Sequence, residues 1–183
     1  MASQVGSHGG RGPLEPSAWV RRFAPLVPPG GTVLDLACGR GRHTRLFLGL
    51  GHPVVAVDAD TGGVADLVGS AGLEVVQAEL EAGGPFPPGR RQFAGVVVAN
   101  YLHRPILGDI VGAVTPGGVL LYETFGRDHP VIGGRPRNPD FLLEPGELLE
   151  AVRGRLRVVA YEDVVLGTPP DAAVQRIAAL REP

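Results

Sequence analysis

Residues 33–43 read VLDLACGRGRH, and this stretch decides the fold. Val33, Leu34, Leu36 and Ala37 form a short unbroken apolar run, as expected of a strand buried on both faces. Asp35 places a carboxylate inside that run, and Gly39 and Gly41 then break the strand. A helix predicted from Arg42 to Leu50 follows at once and is stopped by Gly51. A buried carboxylate and a glycine turn at the end of a core strand both need a reason.

The same alternation continues outward. Strands are expected at Thr32–Ala37, Pro53–Val57, Leu73–Gln77, Phe93–Ala99 and Gly118–Tyr122, each a short apolar run. Helical spacing is present in 16–26 (Trp19, Val20, Phe23, Leu26), in 105–114 (Ile106, Ile110, Val111, Val114) and more weakly in 62–71. A further helix is expected over Glu144–Val152, with Pro145 in its first turn. The segment between Leu73–Gln77 and Phe93 is turn-rich, and a glycine- and proline-rich polar loop is expected from about Glu123 to Leu143. Arg157–Val165 and Ala172–Leu180 read as two final strands with no helix between them, a hairpin that adds an antiparallel edge. The pattern predicts an α/β fold: a Rossmann-like, doubly wound, mostly parallel seven-stranded sheet with an antiparallel C-terminal strand.

Composition narrows the function. The 183 residues fit one domain, expected over 16–183 behind a flexible leader at 1–15. Hydrophobic residues at 44% and charged residues at 20% are those of a soluble globular protein. The net charge of -2 gives no overall positive field toward nucleic acid or an anionic membrane. All 17 basic residues are arginine, which excludes Schiff-base lysine chemistry and P-loop nucleotide hydrolysis. Cys38 is the sole cysteine, so no internal disulfide and no multi-cysteine metal site is expected, and no metal ligand set is assigned. With no secretory signal and no apolar run of membrane-spanning length, a cytoplasmic location is expected.

In open α/β sheets ligands bind beyond the carboxyl ends of the strands, at the switch point beside the first strand. CGRGRH lies there. Gly39 and Gly41 let the backbone approach a ligand, and the following helix offers unpaired N–H groups. Asp58 ends the second strand about twenty residues downstream, where a carboxylate grips a ribose diol. A dinucleotide site would place a third glycine where Thr44 stands, and it has no use for a carboxylate in the first strand. An amino-acid ligand does, because its ammonium group needs an anion.

These residues resemble the class I S-adenosylmethionine-dependent methyltransferases. VLDLACGRGRHT, VVAVDAD, QAEL, FAGVVVANYLH and TPGGVLLYETF are similar to five motifs of that family, in order and at matching intervals. GRHT and GRPRNPDFLLEPGELL further resemble small bacterial TehB-like methyltransferases. The resemblance implies S-adenosyl-L-methionine as cofactor. Asp35 would orient its ammonium group and the loop amides, Asp58 would hold the ribose, and Glu79, where the family has aspartate, would receive the adenine amino group. Ala37, Gly39, Gly41, His43, Ala59, Leu80 and Asn100 complete the implied cofactor set, with Asn100 near the sulfonium.

For catalysis the candidates are His103, Tyr101 and Glu123, with His103 the proton acceptor because an imidazole is the side chain suited to taking a proton at neutral pH. Tyr122 would line the acceptor cleft, and Arg135 and Arg137, on the long loop with Arg127 and His129, would hold an anionic acceptor. Trp19 and Phe23 are expected to pack on the sheet. A small-molecule acceptor is expected, without nucleic acid or membrane partners, in a monomer or homodimer. Two other readings stay open: methylation of RNA or protein, and a non-catalytic S-adenosylmethionine-binding protein. A nicotinamide enzyme is a weaker third.

Overall fold

The structure, a computed structural model, describes residues 15–183. Of the expected leader, 1–14 lies outside the described residues. Seven strands form one sheet in the order β3-β2-β1-β4-β5-β7-β6. They are β1 (Val33–Leu36), β2 (Val54–Asp58), β3 (Leu73–Gln77), β4 (Phe93–Ala99), β5 (Val114–Phe125), β6 (Arg157–Leu166) and β7 (Ala172–Leu180). The first five run parallel, while β7 lies antiparallel between β5 and β6. The hairpin thus forms the sheet edge as expected, but its antiparallel strand is the inner one and β6 is the rim.

Both faces of the central strands are covered, which is why their sequences read as continuous apolar runs. On one face, Leu34, Leu36, Val96, Val98 and Leu120 pack with Ile110 and Val111 of α3 (Leu107–Gly112) and Leu148 and Val152 of α4 (Glu147–Val152). On the other, Val33, Val54, Val97 and Leu121 pack with Trp19 and Val20 of α1 (Ala18–Phe23) and Phe47 of α2 (Arg42–Gly49). The expected packing role of Trp19 and Phe23 holds: Trp19 is 2% exposed, Phe23 packs beside it, and the Trp19 indole N–H donates to Ile177 O at 3.2 Å.

Helices depart from expectation where the backbone cannot sustain them. The 16–26 helix ends at Phe23 and continues as a 3-10 turn over Ala24–Leu26, because Pro25 supplies no N–H. The 62–71 helix is a 3-10 segment, Thr61–Leu67, capped by Asp60, whose carboxylate accepts from Gly62 N–H; two early glycines disfavour a regular helix. Residues 104–106 form a 3-10 turn before α3, which stops at Gly112 rather than at Val114. α4 starts at Glu147, after a turn in which Gly146 has φ +77°. The expected start of the long loop at Glu123 is also corrected. β5 runs on to Phe125 because Gly126 N–H and the 119–125 register with β7 extend the pairing. No helix among the described residues is long and apolar enough to cross a membrane.

Candidate active site

The strand order sets the carboxyl ends of β2, β1, β4 and β5 side by side, and the motif residues follow those ends. Asp35 shares a face of β1 with Val33, the face covered by α2. There Thr44 Oγ1 donates to Asp35 Oδ2 at 2.6 Å. Asp35 is 1% exposed. Burial raises its carboxyl from the ordinary 3.8 to about 6, and the Thr44 hydrogen bonds and the positive charge of Arg42 oppose the rise without cancelling it. Asp35 makes no ion pair among the described residues, and a ligand ammonium would supply one.

The turn after β1 bends through left-handed backbone. Ala37 has φ +54° and Gly41 φ +70°, and a Cβ on Gly41 would lie 2.5 Å from Val64 Cγ1. Gly41 is therefore fixed both by its backbone angle and by the 3-10 segment packed on it. Gly39 N–H donates to Asp58 Oδ2 at 2.8 Å, and Asp60 N–H donates to Asp58 Oδ1 at 3.0 Å. Each carboxylate oxygen keeps a further lone pair for a ligand hydroxyl. Ala59, beside Asp58, is exposed, and its carbonyl accepts from Gln77 Nε2 at 3.1 Å.

Beyond β3, Glu79 is exposed and accepts from Glu81 N–H at 3.2 Å, whereas Leu80 is buried in the core cluster. Asn100, directly after β4, has φ +56°; its N–H donates to Glu123 O at 2.9 Å. Among the described residues Ala37 and Asn100 are the only non-glycine residues with left-handed φ, and both sit at this edge. Strained backbone persists where surrounding structure enforces it, and it gathers at functional sites. His103, half-buried, precedes the 104–106 turn and makes no side-chain cap bond there.

Several expected roles change. His43 does not stand open to a ligand: it is 3% exposed, and its Nε2 accepts from Ser17 N–H at 3.1 Å. Burial and then Arg42 lower its pKa to about 3, so it stays neutral. Glu123 is not a free base, because Ser17 Oγ–H donates to its Oε1 at 2.7 Å and Arg176 lies 3.3 Å from its Oε2. Tyr122 does not line a cleft. It is 1% exposed and its hydroxyl donates to Tyr101 O at 2.9 Å. Burial, then the charges of Glu81, Glu79 and Asp58, push the Tyr101 hydroxyl pKa well up, which disfavours the expected acid–base role. The Cys38 thiol is pushed up by burial and is inert packing.

The long loop is anchored rather than loose. Arg104 forks onto Glu147 at 2.7 and 2.8 Å and also donates to Asp140 O and Leu142 O. His129 is buried, stacked on Phe125 at 4.2 Å between ring centroids. Its Nδ1 accepts from Ala173 N–H and its Nε2 donates to Arg135 O. Arg127 pairs with Glu144 at the surface. Arg135 and Arg137 are exposed, with no side-chain ion pair among the described residues. Two contributors escaped the sequence reading. Ser17 carries a legible helix-start pattern before AWVRRF, but its tie to His43 and Glu123 spans distant segments. Thr44 registered only as a missing glycine.

No family model and no curated protein matches the sequence. Solved structures do match by shape. One is 1,6-didemethyltoxoflavin-N1-methyltransferase from Burkholderia thailandensis, solved with 1,6-didemethyltoxoflavin and S-adenosylhomocysteine. It has TM-score 0.64 and 23% identity, over 88% of this chain and 75% of that one. An S-adenosylmethionine-dependent methyltransferase from Mesorhizobium loti has TM-score 0.70 and 17% identity, over 92% of this chain and 100% of that one. TehB from Haemophilus influenzae has TM-score 0.66 and 20% identity, over 90% of this chain but 61% of its own length. With the strand order and the inner antiparallel β7, these likenesses establish that the chain has the class I S-adenosylmethionine-dependent methyltransferase fold.

Proposed function

We propose that this chain is an S-adenosylmethionine-dependent methyltransferase acting on a small-molecule acceptor. The observation that carries the reading is Asp35, a buried carboxylate raised to about 6 at the floor of the glycine turn, bonded by Thr44 but without an ion pair among the described residues. It is matched across the turn by Asp58, held with spare lone pairs by two backbone N–H groups. Such an arrangement fits an amino-acid nucleoside: Asp35 takes the ammonium group and Asp58 the ribose hydroxyls. Support also comes from the Burkholderia thailandensis enzyme of the same fold, solved with bound 1,6-didemethyltoxoflavin and S-adenosylhomocysteine.

When bound, S-adenosylmethionine supplies an electrophilic methyl group on a sulfonium centre, open to in-line displacement. The chain's contribution is alignment and exclusion of water. Ala37, Gly39 and Asn100 shape the floor of the crevice, Ala59, Glu79 and Leu80 its nucleobase end. His43 stiffens the first turn of α2 rather than touching the ligand. His103 is the residue to remove a proton from a hydroxyl or amine acceptor, and Arg135 and Arg137 meet an anionic one.

Titration calorimetry with S-adenosylmethionine, S-adenosylhomocysteine and NAD tests the reading. The first two are expected to bind and NAD is not. Asp58→Ala is expected to weaken S-adenosylhomocysteine at least tenfold, by loss of bonds to a charged acceptor. Binding of NAD alone, or full affinity in the variant, would sink it.

A further inference from the structure

Tyr101 carries an anomaly that the site as described leaves unexplained. The residue is 8% exposed, its hydroxyl oxygen is fully buried, and that hydroxyl has no hydrogen-bond partner among the described residues. Buried hydroxyls find partners almost always, and an orphaned one needs a reason. Tyr122, one strand over, shows the ordinary case, its hydroxyl donating to a carbonyl. Packing alone would be served by phenylalanine at 101.

The surroundings say what the hydroxyl faces. Tyr101 sits in the core cluster that includes Leu80, with Phe86 packed against it. Leu80 and Phe86 both belong to the 78–92 segment, which has neither helix nor regular strand and closes over this side of the sheet. The charges that bear on the Tyr101 hydroxyl are those of Glu81, Glu79 and Asp58. In the cofactor reading above, Asp58 marks the ribose end and Glu79 the nucleobase end of the ligand. A neutral donor close to the Asp58 and Glu79 carboxylates can bond a part of such a ligand that those acceptors cannot, a ring nitrogen.

We infer that Tyr101 is a nucleobase-recognition residue, its hydroxyl donating to a ring nitrogen of a purine nucleoside that enters beneath the 78–92 segment. This rests on the cofactor reading above and removes Tyr101 from the catalytic set. The purine gives the orphan hydroxyl its missing acceptor, so binding relieves a penalty that the ligand-free protein carries. A base without a ring acceptor at that point leaves the hydroxyl buried and unpaired, which is the basis of selectivity.

The test compares wild type and Tyr101→Phe by titration calorimetry with S-adenosylhomocysteine and its 1-deaza, 3-deaza and 7-deaza analogues. Tyr101→Phe is expected to weaken the parent compound about tenfold. One deaza analogue is expected to bind wild type about as weakly and to show no further loss in the variant. Thermal melting without ligand is expected to leave Tyr101→Phe no less stable than wild type, because no folded-state bond is lost. Equal affinity of the two proteins for the parent compound would overturn the inference. So would a loss that persists undiminished across all three analogues, or a ligand-free variant that melts well below wild type. If wild type itself binds no S-adenosylhomocysteine, the cofactor reading fails first, an outcome distinct from equal binding by both proteins.

Discussion

Ser17 and His43, far apart in sequence, are joined where the N-terminal helix meets the glycine turn: Ser17 N–H donates to His43 Nε2 at 3.1 Å. Ser17 Oγ also caps α1 and donates to Glu123. One residue therefore links the first helix, the cofactor-side helix and the end of β5. The bond requires a neutral imidazole.

That requirement has a pH signature. His43 titrates near 3 when folded and near 6.5 when unfolded. The unfolded chain binds the extra proton between these values, so His43's contribution is complete above 6.5 and is lost as pH falls. His43→Gln keeps an acceptor for Ser17 but cannot titrate. Denaturant melts from pH 7.5 to 5 are expected to show wild type losing about 2 kcal/mol more than the variant by pH 5. Parallel curves would remove His43 as the cause.

Asp35 has the opposite sign. Its folded pKa, about 6, stands above the ordinary 3.8, so the folded state binds the extra proton between them. Its contribution is present below 3.8 and lost as pH rises through about 6, a cost of about 3 kcal/mol at pH 8. Asp35→Asn is expected to raise the ligand-free melting temperature at pH 8 while weakening S-adenosylhomocysteine at least tenfold. A variant both less stable and unaltered in binding would contradict the placement of this carboxylate.

The same ionisation predicts how binding responds to pH in the wild type. A ligand ammonium needs Asp35 charged, and the free carboxyl is about half protonated near pH 6. Affinity for S-adenosylhomocysteine is expected to hold between pH 7 and 8 and to fall several-fold by pH 5.5, with proton release measurable by calorimetry in buffers of different ionisation enthalpy. In Asp35→Asn that pH dependence should disappear.

Gly134 gives a test of the loop. A Cβ there would sit 2.2 Å from His129 Cε1 and 2.3 Å from its Nε2. The imidazole cannot retreat, since it is stacked on Phe125 and bonded on both nitrogens. Gly134→Ala is expected to cost about 1–3 kcal/mol by chemical denaturation. A variant as stable as wild type would mean that the His129 clamp is soft.

The central strands β2 and β4 were legible because they are short, almost unbroken apolar runs, and doubly covered parallel strands leave that trace. Ala172–Leu180, easily taken for a helix, reads as a strand and is one. What stood at strand ends was legible too: the glycine turn, Asp58 and Asn100 fall where the run of apolar residues says the sheet stops. Less legible was anything set by contacts between distant segments. Tyr122 and Glu123 resemble cleft residues in sequence, yet β5 continues past them and their polar atoms are taken by Tyr101, Ser17 and Arg176. His129 looked like part of a solvated lid, and only the fold puts Phe125, Gly134 and Ala173 around its ring.

The inner position of β7 has a consequence for how the chain is made. β6 touches the sheet through β7 alone, so on the ribosome it emerges before the strand it must pair with. Until residues 172–180 are free, β5 keeps an open flank and β6 waits unattached. The last of these seven strands to emerge is thus a wedge driven between two strands already made, and holdase capture at that moment should act on the β5 and β6 segments first.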